Sequence, residues 1–130
     1  MLNVDLRGLL LDYAGVLDEP GMGAVARALR ATGVRVAVVS NADRLPEPAL
    51  AEGFDSVVLS GAVGFAKPDA EIYRLAARRL GLEPGECVFV DDLRRNVDGA
   101  VATGMVGIHH SDRDSTTVEL EALFEAHLDL

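Results

Sequence analysis

Several absences narrow the possibilities before any motif is read. The chain has one cysteine, Cys87, so no internal disulfide is available, as is usual for proteins kept in a reducing compartment. No apolar run approaches the roughly 20 residues that a membrane-spanning helix needs. The first eleven residues include Asp5 and Arg7 and lack a signal-peptide layout. We therefore expect a cytoplasmic protein with no membrane partner. Basic residues are also scarce, 12 against 21 acidic, for a net charge of −9. Affinity for nucleic acid rests mainly on neutralising phosphates, so no nucleic-acid partner is expected. Of the 12 basic residues, 11 are arginine, and Lys67 is the only lysine.

The composition is otherwise that of a soluble globular domain, 49% hydrophobic and 25% charged. With 130 residues and no linker, repeat or low-complexity tract, one domain over 1–130 is expected. Short continuous apolar runs alternate with helical spacing. Gly8–Leu11, Val34–Val39, Ser56–Leu59, Cys87–Val90 and Met105–Ile108 read as strands, the best of them buried on both faces. Met22, Val25, Ala26 and Leu29 line one helix, stopped by Gly33. A short helix is expected over Pro46–Glu52, and a glycine-bearing loop over Ser60–Lys67. Pro68 suits the first turn of a third helix carrying Ile72, Leu75, Ala76 and Leu80. Leu93, Val97, Ala100 and Val101 give a fourth helix, and Leu120, Leu123, Phe124 and Leu128 a closing one. The alternation predicts an α/β fold with a mostly parallel five-stranded sheet.

Ligands of such sheets bind outside the carboxyl ends of the strands. Asp12 follows the first strand, Ser40-Asn41 the second and Asp91-Asp92 the fourth, while Lys67 leads into the helix between strands three and four. In a parallel sheet all of these groups share one edge. Asp12 with Asp91 or Asp92 can hold a hard cation such as Mg²⁺, which prefers oxygen ligands. Lys67 and Ser40 can then hold phosphoryl oxygens, and an aspartate beside a metal can serve as a nucleophile. Each group alone has an ordinary structural explanation as a turn, helix cap or solvated loop residue. Four such segments in this order point to a site.

The segments resemble the four motifs of the haloacid dehalogenase superfamily of hydrolases. They are Leu10-Leu11-Asp12-Tyr13-Ala14-Gly15-Val16-Leu17, then Val38-Val39-Ser40-Asn41, then Gly64-Phe65-Ala66-Lys67-Pro68-Asp69 with Ile72-Tyr73, then Val88-Phe89-Val90-Asp91-Asp92 with Asn96 and Ala100 following. The wording is especially similar to the phosphatase-like N-terminal domain of soluble epoxide hydrolases, over about residues 7 to 110. The resemblance implies a three-layer Rossmann-like core and Mg²⁺ as cofactor. It implies Asp12 as nucleophile and metal ligand, a metal-binding carbonyl at Ala14, Asp92 on the metal directly and Asp91 through water. Ser40 would bond the transferring group, with Asn41 as a substrate-binding amide, and Lys67 would offset the negative charge around Asp12.

Two departures qualify that picture. The superfamily's phosphatases usually carry a second aspartate at the position of Ala14, where it protonates the leaving group and later activates water. A positioned general acid or base is worth about 10²–10⁴-fold, so alkyl phosphates should be poor substrates and acyl or aryl phosphates better ones. The spacings Asp12–Ser40 and Asn41–Asp91 also leave no room for a cap domain. Capless relatives take large substrates or close their sites by oligomerising, which implies a phosphorylated small molecule or phosphoprotein as partner and leaves scope for a homodimer. The same departures give an alternative reading, a catalytically impaired module that binds a phospholigand or another protein, against which the retention of Asp12, Ser40, Lys67 and Asp92 weighs.

Other features are expected to be incidental. His109-His110 have no third ligand nearby in sequence and read as surface or edge residues. Gly21-Met22-Gly23 begins too far past the strand for a dinucleotide fingerprint. Arg74, Arg78, Arg79, Arg94 and Arg95 read as outer helix faces, and the acidic excess of residues 112–130 as a solvated face.

Overall fold

Strands that are apolar at every position need cover on both faces, and the arrangement supplies it. The computed structural model describes residues 5–47 and 52–130. Strands β1 (Gly8–Leu11), β2 (Arg35–Ser40), β3 (Ser56–Leu59), β4 (Cys87–Asp91) and β5 (Val106–His109) form one sheet in the order β3-β2-β1-β4-β5. Every neighbouring pair is parallel. Helix α1 (Met22–Ala31) and helix α5 (Arg113–Phe124) cover one face, while α3 (Ala70–Arg79) and α4 (Arg94–Ala102) cover the other. A single turn, α2 (Ser60–Val63), follows β3.

The two-residue alternation of each strand splits the core between the layers. Leu9, Leu11, Val36, Val88, Val90 and Ile108 pack with Met22, Val25 and Leu29 of α1 and Leu120 of α5. Leu10, Ala37, Val39, Val58 and Phe89 meet Ile72, Tyr73 and Ala76 of α3 and Ala100 of α4. Both β1 and β4 are buried at every position, as the unbroken hydrophobic runs required.

The expected elements shift at their ends for local reasons. β5 begins one residue later than expected, at Val106. Pro68 precedes its helix, because Asp69 is the N-cap and accepts from the Glu71 amide at 2.9 Å. Leu93 caps α4 instead of joining it and is 44% exposed. α5 ends at Phe124, and Glu125 turns the chain at φ 51°, so Leu128 lies beyond the helix. The loop expected after β3 opens with the turn α2. Residues 48–51, most of the helix expected over Pro46–Glu52, lie outside the described residues. Among the described residues no helix is long and apolar enough to cross a membrane.

Candidate active site

Parallel register brings the strand ends together. Leu11 of β1 is level with Val38 of β2 and Val90 of β4, so Asp12, Ser40 and Asp91 leave the sheet at one edge. Lys67 reaches them from the segment before α3. Its Nζ lies 2.9 Å from Asp12 Oδ1 and 2.9 Å from Asp91 Oδ2. The Lys67 side chain is only 1% exposed and Asp91 not at all. A buried cation is stable only when its charge is answered; here two carboxylates answer it, and the Phe89 ring lies 5.5 Å away. The solitary lysine of the sequence therefore holds the charge balance of this edge.

The backbone of Lys67 is fixed as tightly as its head. Asn41 Nδ2 donates to the Lys67 carbonyl at 3.0 Å, and the Lys67 amide donates to Asn41 Oδ1 at 2.9 Å. Both polar ends of this amide are thus engaged in holding Lys67. Asp91 is fixed from below. Its Oδ1 accepts from the Leu93 amide at 2.9 Å, and its Oδ2 also accepts from Asn96 Nδ2 at 3.1 Å. The Asn96 carbonyl in turn accepts from the Tyr73 hydroxyl at 2.6 Å.

One oxygen from each of Asp12, Asp91 and Asp92 falls within 4.8 Å of the others. Three hard oxygen donors at this spacing fit a cation of the Mg²⁺ class. Burial pushes the Asp12 carboxyl up to about 6; Lys67 opposes the shift, and the charges of Asp91 and Asp92 add to it. Asp92 is also raised, by burial first and by Asp91 next. Below about pH 6 a divalent cation would therefore have to displace a proton from Asp12.

Between Asp12 and α1 the chain makes a wide turn over Tyr13–Leu17, with Gly15 at φ +84°. A Cβ at Gly15 would overlap the Asp92 carboxylate, so glycine is required both for the conformation and for the approach of this turn to the acids. The Gly15 amide donates to Asp18 Oδ1 at 2.9 Å. Asp12, Ala14, Ser40, Asn41, Lys67 and Asp92 all line one open cavity of about 280 Å³. Asp91 is buried beside it. Every position singled out in the sequence is therefore gathered at this edge, and Ala14 offers the cavity only a methyl group and backbone.

Other positions behave differently from expectation. His110 is not a surface residue: only 4% exposed, it lies between Thr116 Oγ1 at 2.6 Å and Glu19 Oε1 at 2.9 Å. It ties the start of α5 to the segment before α1. His109 is exposed, and its Nε2 donates to the Asp92 carbonyl at 2.9 Å. Asn96 and Tyr73 stood in the sequence motifs without a role and prove to hold Asp91. Their signal was present, since both fall on the inward faces of α4 and α3.

A family model for haloacid dehalogenase-like hydrolases matches residues 2–104. The crystal structure of an uncharacterized protein from Corynebacterium glutamicum superposes with a TM-score of 0.88 at 34% identity, covering 96% of this chain and 99% of that one. A sesquiterpene phosphatase of Aspergillus oryzae is 34% identical over 111 residues, 78% of this chain and 55% of its own length. Bifunctional epoxide hydrolase 2 of Sus scrofa is 41% identical over 68 residues, 52% of this chain and 12% of its own. The chain thus spans about half or less of the length of these curated relatives.

Proposed function

The chain belongs to the haloacid dehalogenase-like hydrolases, and on that premise we propose that it is a Mg²⁺-dependent phosphohydrolase with Asp12 as nucleophile. Its main support is the contact of Lys67 with both Asp12 and Asp91 at 2.9 Å, with the lysine side chain buried. A domain that only folded would gain little from such a pair, since apolar residues of similar volume are often as stable.

An Asp12 oxygen attacks phosphorus, forming the acyl phosphate as the bond to the leaving oxygen breaks. Water then attacks that phosphorus, releasing phosphate and restoring the Asp12 carboxylate. Lys67 holds Asp12 in place and answers the charge that gathers on the phosphoryl oxygens. Ser40 bonds the transferring group, and Asn41 acts through the backbone of Lys67 while bordering the substrate. Asp12, Asp92, Asp91 through water and the carbonyl of Ala14 would hold Mg²⁺. When bound, the ion supplies the positive charge that lets an anionic substrate approach three carboxylates.

The methyl of Ala14 cannot protonate a leaving alkoxide or activate water. We therefore assign activated phosphates, acyl or aryl, as the better substrates, carried by a small molecule or a protein. The open mouth, with Leu93 44% exposed at its rim, accommodates a large substrate or a second copy of the chain. Hydrolysis of acetyl phosphate and an aryl phosphate, wild type against Asp12→Asn, tests the proposal. Turnover should require both Mg²⁺ and Asp12; a wild type no faster than the variant refutes it.

Ala14 also favours a second reading, a catalytically impaired module that binds a phospholigand or a protein. Ala14→Asp separates the two: if the remaining site is competent, hydrolysis of alkyl phosphates rises at least about tenfold. No gain, in a variant that still folds and binds Mg²⁺, favours the impaired module.

A further inference from the structure

The sheet ends in two strands, β3 and β5, each paired on one side only. Neither carries the lysine, proline or inward-pointing charge that usually blunts such an edge. They differ in what lies beside them. The markedly exposed large hydrophobics are Leu93, Val101, Val118 and Leu130, none of which belongs to β3 or α2. Val101 of α4 belongs to the β5 edge. A Cβ at Gly107 would overlap Val97 and Val101, so α4 presses directly on β5, yet Val101 stays 51% exposed. One side of this valine touches the strand and the other is bare.

The free backbone groups of β5 can be assigned. The His110 amide donates to the Asp91 carbonyl of β4 at 2.9 Å. Backbone groups alternate sides along a strand, so those of Gly107 and His109 point outward. Two identical strands set antiparallel about a two-fold axis at Ile108 satisfy these groups reciprocally, Gly107 bonding the partner's His109 in both directions. A two-fold normal to the sheet also lays α4 antiparallel beside the partner's α4. Gly99 and Asn96 turn one side of α4 towards Pro68 and Tyr73; helical spacing puts Arg94, Asp98 and Val101 on the other. Arg94 and Asp98 are exposed, and neither joins an ion pair among the described residues. Across the axis Arg94 reaches the partner's Asp98 while its aliphatic stem covers the partner's Val101. The complementarity is reciprocal, as an isologous contact requires.

We propose that a second copy of this chain docks on the β5 edge, extending the sheet across the axis with α4 against the partner's α4. This goes beyond the hydrolase reading and does not depend on it. A four-residue strand and one helix flank make a small interface, so a Kd on the order of 10 μM is expected.

Sedimentation equilibrium of the full chain tests the proposal. Val101→Arg sets like charges against the partner's Arg94 and should weaken the dimer about 100-fold. Arg94→Asp or Asp98→Arg alone should weaken it about tenfold, and the two together should restore wild-type affinity. A variant that merely folds poorly cannot give that restoration. Hydrogen exchange should slow at the Gly107 and His109 amides as the dimer forms. A wild type that stays monomeric at about 0.2 mM leaves this edge to some other partner and overturns the proposal. A dimer indifferent to Val101→Arg, or a double charge swap that restores nothing, overturns it as well.

Discussion

Replacing Lys67 with methionine isolates the charge balance of the site, because methionine keeps much of the stem beside Phe89 and removes only the ammonium. Nζ makes two contacts of 2.9 Å, each of ~6 kcal/mol at an effective dielectric of about 20. Most of that is offset by the cost of desolvating the ions, and removing one partner of a buried pair typically costs about 3–5 kcal/mol net. The variant is therefore expected to lose about 3–5 kcal/mol in urea denaturation at pH 7.5 with EDTA present. The sign of the pH dependence follows from Asp12. Its carboxyl is already raised to about 6, and without Lys67 it rises further. A carboxyl whose folded pKa lies above its unfolded one loses stability as pH climbs through the folded value, so the deficit should shrink at pH 5 and widen at pH 8. Mg²⁺ at 100 times its dissociation constant should restore about 2.7 kcal/mol. A deficit below about 1 kcal/mol at pH 7.5, or one independent of pH, would refute the assignment of Lys67 as the counter-charge.

The same carboxyl sets a pH dependence for metal binding. Above about pH 6 Asp12 is already ionised, whereas below it Mg²⁺ must displace a proton; calorimetry should show affinity falling towards tenfold per pH unit below that point, and a flat profile from pH 5 to 8 would contradict it. His110→Ala removes both hydrogen bonds of a buried ring and leaves the buried Thr116 hydroxyl without that partner, while Glu19 keeps the Arg113 amide. Urea denaturation should report a loss of about 2–4 kcal/mol, and a loss under about 1 kcal/mol would show that the Glu19–His110–Thr116 tie is dispensable.

Positions whose burial is dictated by chain periodicity were legible without coordinates. The strand Gly8–Leu11 occupies the expected residues because its unbroken apolar run has only the interior of the sheet to fill; Ser56–Leu59 also matches, as a half-buried edge strand. The site residues were legible for a related reason. Parallel strands deliver their carboxyl ends to one edge, so Asp12, Ser40 and Asp91 were bound to meet once the strands paired in parallel. Element ends were less legible, since they turn on single hydrogen bonds. Asp69 rather than Pro68 begins α3 because its carboxylate reaches the Glu71 amide. Leu93 stays outside α4 while its amide donates to Asp91. The burial of His110 has no signal in local sequence, because it depends on Glu19, 91 residues away, meeting the start of α5 at Thr116.

The amino-acid sequence by itself determined the α/β alternation, the parallel sheet and the edge at which Asp12, Ser40, Lys67 and Asp91-Asp92 collect, since these follow from local periodicity and strand direction. Only the tertiary structure decided how the charges are shared. That Lys67 bridges Asp12 and Asp91, that Asn41 holds the Lys67 backbone, and that Asn96 holds Asp91 are facts of distance and desolvation. Such facts arise only when groups from separate strands and helices are taken out of water together.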